Sequence, residues 1–304
     1  MLNVIAPRLI GEDPRRMGWI IGIMDALVVK NTAIKAAIDI ALYDLLGQAW
    51  EAPLRRLLGG ARDRMETDFT ISIRPPEEMA RQAVQLVKTG YRVPKLKLST
   101  TSEDDIERVK AVRTAEGDEP RLRIDANQGW NRQEAIHALT HIARYNVKLV
   151  KQPVAANDIE GLALIRRAQS IPVMADESVH LPVDALRVIN EGAVDYIDVR
   201  IMKSGGFWKP QQITLLAETA GIDCQVGGMV EIDLGLAAAV NLACGLLNIQ
   251  SGDLAMDSSL RERLVKRGGA AFEDGCMVPG DRSGLGIKEI NEQPIEAPLK
   301  SYKL

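Results

Sequence analysis

Aromatic residues make up only 4% of the 304-residue chain, and it has three histidines and three cysteines. So few ring faces argue against a surface built to stack bases or sugars. Cys224, Cys244 and Cys276 are too few and too odd in number for a disulfide framework. They suit a reducing compartment, so a cytoplasmic location is expected. A run of apolar residues long enough to span a membrane is also missing. Trp19 to Val29 is apolar but short and is interrupted by Asp25, so it reads as a core element. The opening MLNVIAPRLIGEDPRR gains acidic residues early and has no small-residue cleavage site, which argues against a secretory leader. Neither sign of charge dominates: 38 basic against 41 acidic residues leave a net charge of −3. Nucleic acid and anionic membrane are therefore not expected as partners, whereas a homo-oligomer is compatible with the composition.

What is present is ordinary globular composition, 46% hydrophobic and 26% charged, in a chain long enough to bury a large core. His137 and His141 have the i, i+4 spacing of a helical metal pair. Ala-Leu-Thr separates them, without the Glu of a zincin motif, so they read as a surface pair.

From residue 67 onward, short apolar strands alternate with amphipathic helices. Strand starts fall near Thr67, Val93, Arg121, Val147, Ile171, Tyr196, Asp223 and Leu247, at intervals of 24–28 residues. The intervening segment PPEEMARQAVQLVKTG opens on prolines and closes at Gly90, which are helix start and stop signals. Eight such units predict an α/β fold, a TIM-type (β/α) barrel over residues 67–255. Residues 1–66 carry a strong helix, NTAIKAAIDIALYDLLGQ, with Asn31 as its expected cap and Gly47 past its end. Residues 256–304 are irregular. Both flanks are expected to pack together as a small α-rich capping domain beside the barrel.

Alternate residues of a barrel strand face the interior, and catalytic groups sit at the strands' C-terminal ends. In VPKLKLS, Leu96 and Leu98 face the helices, which turns Lys95 and Lys97 inward. In RLRIDANQ the inward set is Arg123, Asp125 and Asn127; in YIDVRIMKSGG it is Asp198 and Arg200. Lys151 ends the fourth strand and Asp176 the fifth. Buried charge is costly unless paired or used. A single such residue would be an ordinary solvated loop charge. The shared parity and strand end of the set point to an active site.

These residues resemble the enolase superfamily, in particular its muconate-lactonising subgroup. The resemblance runs from about residue 30 to the C-terminus. It rests on KLK at 95–97, DANQGW at 125–130, QPV at 152–154, ADES at 175–178 and the Lys-Ser-Gly-Gly after strand six. The strand TDFTISI at 67–73 looks most like the dipeptide epimerases that act on L-Ala-D/L-Glu. The resemblance implies removal of a proton next to a carboxylate, with the enolate stabilised by Mg²⁺ on carboxylates from strands three, four and five. Lysines on strands two and six would face the substrate from opposite sides. By that resemblance Lys97 is the acid/base with Lys95 beside it, and Asp125 and Asp176 are metal ligands. Asp198, Lys203, Glu231, Asp253 and Asp257 are expected to contact a small carboxylate or dipeptide substrate.

The sequence departs from the family pattern at four places. Lys151 stands where the strand-four ligand is a Glu, and a protonated amine cannot bind Mg²⁺. Two aspartates and one lysine carry the same net charge as three carboxylates with Mg²⁺, so Lys151 is expected to pair with Asp125 and Asp176 and to leave metal binding weak or absent. Arg200 stands where the strand-six catalytic Lys belongs, and a guanidinium does not act as a general base. Ala255 replaces the second Asp of a D-x-D motif whose first Asp is Asp253, with Asp257 as a substitute. No stretch before residue 30 reads as the three-stranded piece of the family's capping domain, so a truncated cap and an open mouth are expected. The expected function is an isomerase with impaired or altered activity. The alternatives are an inactive paralogue serving as a binding or structural barrel, a one-base enzyme like muconate cycloisomerase, N-acyl amino acid racemase or o-succinylbenzoate synthase, and a glycosidase using Asp125 and Glu177.

Overall fold

The computed structural model describes residues 2–229, 231–255 and 263–291. Its centre is an eight-stranded sheet in sequential order. The strands are β1 (Phe69–Ile71), β2 (Pro94–Lys97), β3 (Arg123–Asp125), β4 (Val150–Lys151), β5 (Val173–Ala175), β6 (Tyr196–Val199), β7 (Asp223–Gly227) and β8 (Ile249–Asp253). All seven neighbouring pairs are parallel. A lone parallel bridge between Thr67 and Gly252, with the Asp68 amide donating to the Gly252 carbonyl at 3.0 Å, brings the first strand to the last. The chain folds as the (β/α) barrel expected from its period.

The apolar residues of these strands face the surrounding helices. Leu96, Leu98, Leu122, Ile124, Val150, Val173 and Ile197 are fully buried there. Helices Pro76–Lys88 and Arg132–Ile142 follow β1 and β3. The second is capped by Asn131, whose side chain accepts from Gln133 and Glu134 while Glu134 reaches back to the Asn131 amide. His137 and His141 lie on its exposed face. Trp130 closes the loop before it, donating from Nε1 to Asp105 at 3.0 Å. No helix among the described residues is long and apolar enough to cross a membrane.

Before the barrel come helices Leu2–Leu9, Met17–Leu27 and Thr32–Ala49. The last corrects two expectations. Asn31 is left-handed and makes no side-chain cap, its amide bonding Val29 instead. Gly47 does not end the helix but lies within it, because a Cβ there would come 2.5 Å from the backbone of Gly284. That contact docks the C-terminal stretch onto this helix. Leu54 donates to Gly284, Gly284 to Ala52, and Leu285 to Asp44. Further on, Cys276–Pro279 pairs antiparallel with both Met65–Glu66 and Ala270–Glu273.

Asp39 fastens helix Thr32–Ala49 to the loop beyond β6. Its carboxylate is fully buried, accepts from the Phe207 amide at 2.5 Å, and leaves Oδ2 without a hydrogen-bond partner. Gly206 is required here, since a Cβ would overlap Asp39 at 2.2 Å. Burial pushes the carboxyl up to about 7, against the opposing pull of the Phe207 and Trp208 amides and of Lys209. The folded chain thus keeps a proton that the unfolded chain, with an ordinary carboxyl, loses near pH 4. Stability from this group is full below that point and is lost as pH rises through about 7. Asp39→Asn is neutral throughout. Its melting temperature should therefore fall less than that of the wild type between about pH 5 and about pH 8; an equal fall would show that Asp39 does not carry the effect.

Candidate active site

The inward residues of β2 to β8 meet at the C-terminal mouth of the barrel as one ionic cluster. On β2, Lys97 Nζ donates to Asp125 Oδ2 at 2.8 Å and to Asn127 Oδ1. Lys95 is buried against Asp253 on β8 and lies 3.7 Å from Asp125. On β4, Lys151 has no exposed surface. Its Nζ stands 2.9 Å from Asp198 Oδ2, 3.2 Å from Asp253 Oδ2 and 3.3 Å from Asp176 Oδ2. Arg200 donates from Nε to Asp198 at 2.8 Å and from Nη2 to Asp176. Lys203 is tied to the Asp176 carbonyl at 2.7 Å, Asp176 Oδ1 at 2.8 Å and the Asp198 carbonyl at 2.9 Å. Beneath them Arg123 joins Asp68 at 3.1 Å and Gln225 at 2.7 Å.

The expected pairing of Lys151 needs correction. Asp176 is a partner, but Asp125 is not; its carboxylate is taken by Lys97 and Lys95. Asp198 and Asp253 replace it, because Lys151 reaches across the barrel axis rather than sideways to β3. Two expected substrate contacts are also used internally. Asp198 is fully buried, with Oδ2 held by Lys151 and Arg200 and Oδ1 by Gln225 at 3.1 Å. Asp253 is consumed by Lys95 and Lys151. Glu231 accepts from the Met229 amide at 2.6 Å. Asp257 lies outside the described residues.

The cluster fixes its own charges. Burial alone would drive the Lys151 ammonium to its neutral form, but Asp176 and Asp198 override this and raise its pKa well above that of a free lysine. Burial pushes Asp176 up, yet Lys151, Lys203 and Arg200 together hold it far below the usual carboxylate range. Asp253 is likewise held low by Lys95 and Lys151 against its burial. Glu177 behaves oppositely: burial and then the charge of Asp176 raise it. Sequence reasoning gave it no role beyond the glycosidase alternative. Asn127 Nδ2 donates to its Oε1 at 3.0 Å, which links it to Lys97.

The β4 position between Asp125 and Asp176 presents a charged ammonium, which offers no lone pair and repels a cation. No group of three acidic, histidine or cysteine side chains among the described residues is arranged to hold a metal.

An eight-stranded parallel barrel with lysines and aspartates on its strand ends is the architecture expected of the enolase superfamily, and the chain belongs to that superfamily. Residues 78–293 match the Enolase C-terminal domain-like family, and residues 1–59 match the Mandelate racemase / muconate lactonizing enzyme, N-terminal domain. It is 45% identical over 294 residues to an L-Ala-D/L-Glu epimerase of Clostridium acetobutylicum, covering 95% of this chain and 81% of that protein. The solved L-Ala-D/L-Glu epimerase of Bacillus subtilis superposes with a TM-score of 0.92 at 35% identity, over 95% of this chain and 81% of that one. The dipeptide epimerase of Enterococcus faecalis V583, solved with Mg and L-Leu-L-Tyr, gives 0.91 at 40% identity, over 94% and 81%. Dipeptide epimerases, racemases and cycloisomerases all occur among the relatives.

Proposed function

We propose that this chain is an isomerase-type enzyme related to the dipeptide epimerases whose two-base, metal-assisted chemistry has been reduced to one base. Lys97 carries the reading. It is the mouth lysine with the greatest exposure, 27% of its side chain, against 4% for Lys95, none for Lys151 and 6% for Lys203. In neutral form its amine takes the proton next to the substrate carboxylate. The guanidinium of Arg200, which cannot serve as a base, stabilises the enolate oxygen electrostatically. Lys97 then returns the proton to the face it came from, so exchange occurs without inversion. Lys151 fills the place of the family's metal-ligand Glu, and activity is accordingly impaired and indifferent to Mg²⁺.

Incubating the protein with L-Ala-L-Glu in D₂O tests this. NMR should show slow loss of the α-proton signal without D-Glu formation, at equal rates in EDTA and in Mg²⁺. Lys97→Met should lower the exchange rate by about 10²–10⁴-fold, the ordinary worth of a positioned base. Inversion would instead establish a second base. The second reading, a binding barrel without turnover, is favoured by the ammonium filling the metal position. It would prevail if no dipeptide or N-acyl amino acid exchanged.

A further inference from the structure

The ionic contacts of the mouth form one continuous chain: Lys97, Asp125, Lys95, Asp253, Lys151, Asp198, Arg200, Asp176, Lys203. Cations and carboxylates alternate along it, and it begins and ends on a cation, so five positive charges face four negative ones. The exposures are just as asymmetric. Asp125 and Asp198 have none, Asp176 has 1% and Asp253 has 9% of its side chain accessible. The parts that reach solvent are Lys97, at 27%, and Arg200, at 14%. Each of these four carboxylates is paired with at least two cations, and the two most exposed side chains of this ionic chain are both cationic.

Donor capacity remains at those two residues. Lys97 uses two of its three N–H bonds, on Asp125 and Asn127. Arg200 uses Nε and Nη2, and Nη1 has no acceptor among the described residues. Of the neighbouring glutamates, Glu231 accepts from the Met229 amide, and Glu177 accepts from Asn127 through Oε1 while its Oε2 is buried without a partner.

We infer that the guanidinium of Arg200 forms an anion seat that takes a ligand carboxylate directly, with no metal ion between, and that Lys97, the base proposed above, stands in the same mouth outside the seat. Lys151 holds the seat up from below, since its contacts to Asp176 and Asp198 keep the two carboxylates that orient the guanidinium. A relative that grips a substrate carboxylate through a cation needs free acidic oxygens. Here the oxygens of Asp125, Asp176 and Asp198 are paired to protein donors, and Nη1 of the guanidinium offers a complementary donor instead. The inference rests on the barrel mouth being the substrate site, as proposed above.

Calorimetric titration with L-Ala-L-Glu in excess EDTA and in Mg²⁺ should give the same Kd. In the wild-type protein, saturating dipeptide should slow phenylglyoxal modification of Arg200 and acetylation of Lys97 several-fold, read by mass spectrometry, while buried Lys95 is unaffected. Arg200→Gln should weaken binding by about tenfold or more, the loss expected for a charge-assisted pair. That variant releases Asp176 and Asp198 and can misfold, so the wild-type protection measurement decides independently. Binding that requires Mg²⁺, no binding in EDTA, or binding without protection would each overturn the seat. A dipeptide that binds without metal but never exchanges its α-proton would leave the seat standing and defeat the catalytic reading instead.

Discussion

Lys151→Met is expected to destabilise the folded chain by about 3–5 kcal/mol, the usual cost of breaking a buried ion pair from one side. Methionine is one atom shorter than lysine and of nearly the same volume, so the loss mainly reports the charge. It leaves Asp176, Asp198 and Asp253 facing one another without the ammonium that stands 2.9–3.3 Å from each. Arg200 and Lys203 still neutralise Asp176, and Lys95 still neutralises Asp253. Asp198 keeps only Arg200 and the Gln225 amide. The variant should therefore recover part of its stability on acidification, as the freed carboxylates take up protons. Urea unfolding at neutral and mildly acidic pH checks both statements. A loss below about 1 kcal/mol, the range of an exposed pair, would mean that the ammonium is dispensable to the cluster.

Much of this site could be read along the chain because a barrel strand imposes a two-residue period. Leu96 and Leu98 fix the outer face of β2, so Lys95 and Lys97 had to point inward. The same argument placed Asp125, Asp198 and Arg200. Parity says which residues enter the barrel but not which of them meet. Partner choice depends on strand tilt and on reach across the axis: of the two aspartates expected to pair with Lys151, Asp176 is a partner, while Asp125, its register neighbour on β3, gives way to Asp198 and Asp253 on β6 and β8. The Arg123–Asp68 pair and the attachment of Asp39 to the loop after β6 join segments 55 and 168 residues apart, and no local pattern carries such contacts. Gly47 misled for a related reason. Its small size serves a close approach by a segment more than two hundred residues away, not the end of its own helix.

Exchanging Lys151 for Glu together with Arg200 for Lys is expected to create a Mg²⁺ site at the barrel mouth. The register supports this. Lys151 pairs with Asp125 on β3 and with Met174 on β5, and Asp176 follows Met174 by two residues, so a carboxylate on β4 would lie between the two aspartates. Charge points the same way. Five cations and four carboxylates give the ionic chain a net charge of +1, and turning one cation into an anion makes it −1. The change of two units is that of a divalent ion. Shortening Arg200 to Lys keeps its charge and withdraws the Nη2 donor from Asp176 Oδ2, freeing an oxygen for the metal. At Mg²⁺ a hundredfold above its Kd, linkage gives about 2.7 kcal/mol of stabilisation. In a chain of this size that is a rise of roughly 5 °C in melting temperature. EDTA should abolish the rise, and the wild type and Arg200→Lys alone should show none. A double variant that folds but does not respond to Mg²⁺ would mean that Asp125 and Asp176 do not converge on one point. The metal would then have been lost through a change in the barrel's geometry, not through the charge of a single side chain.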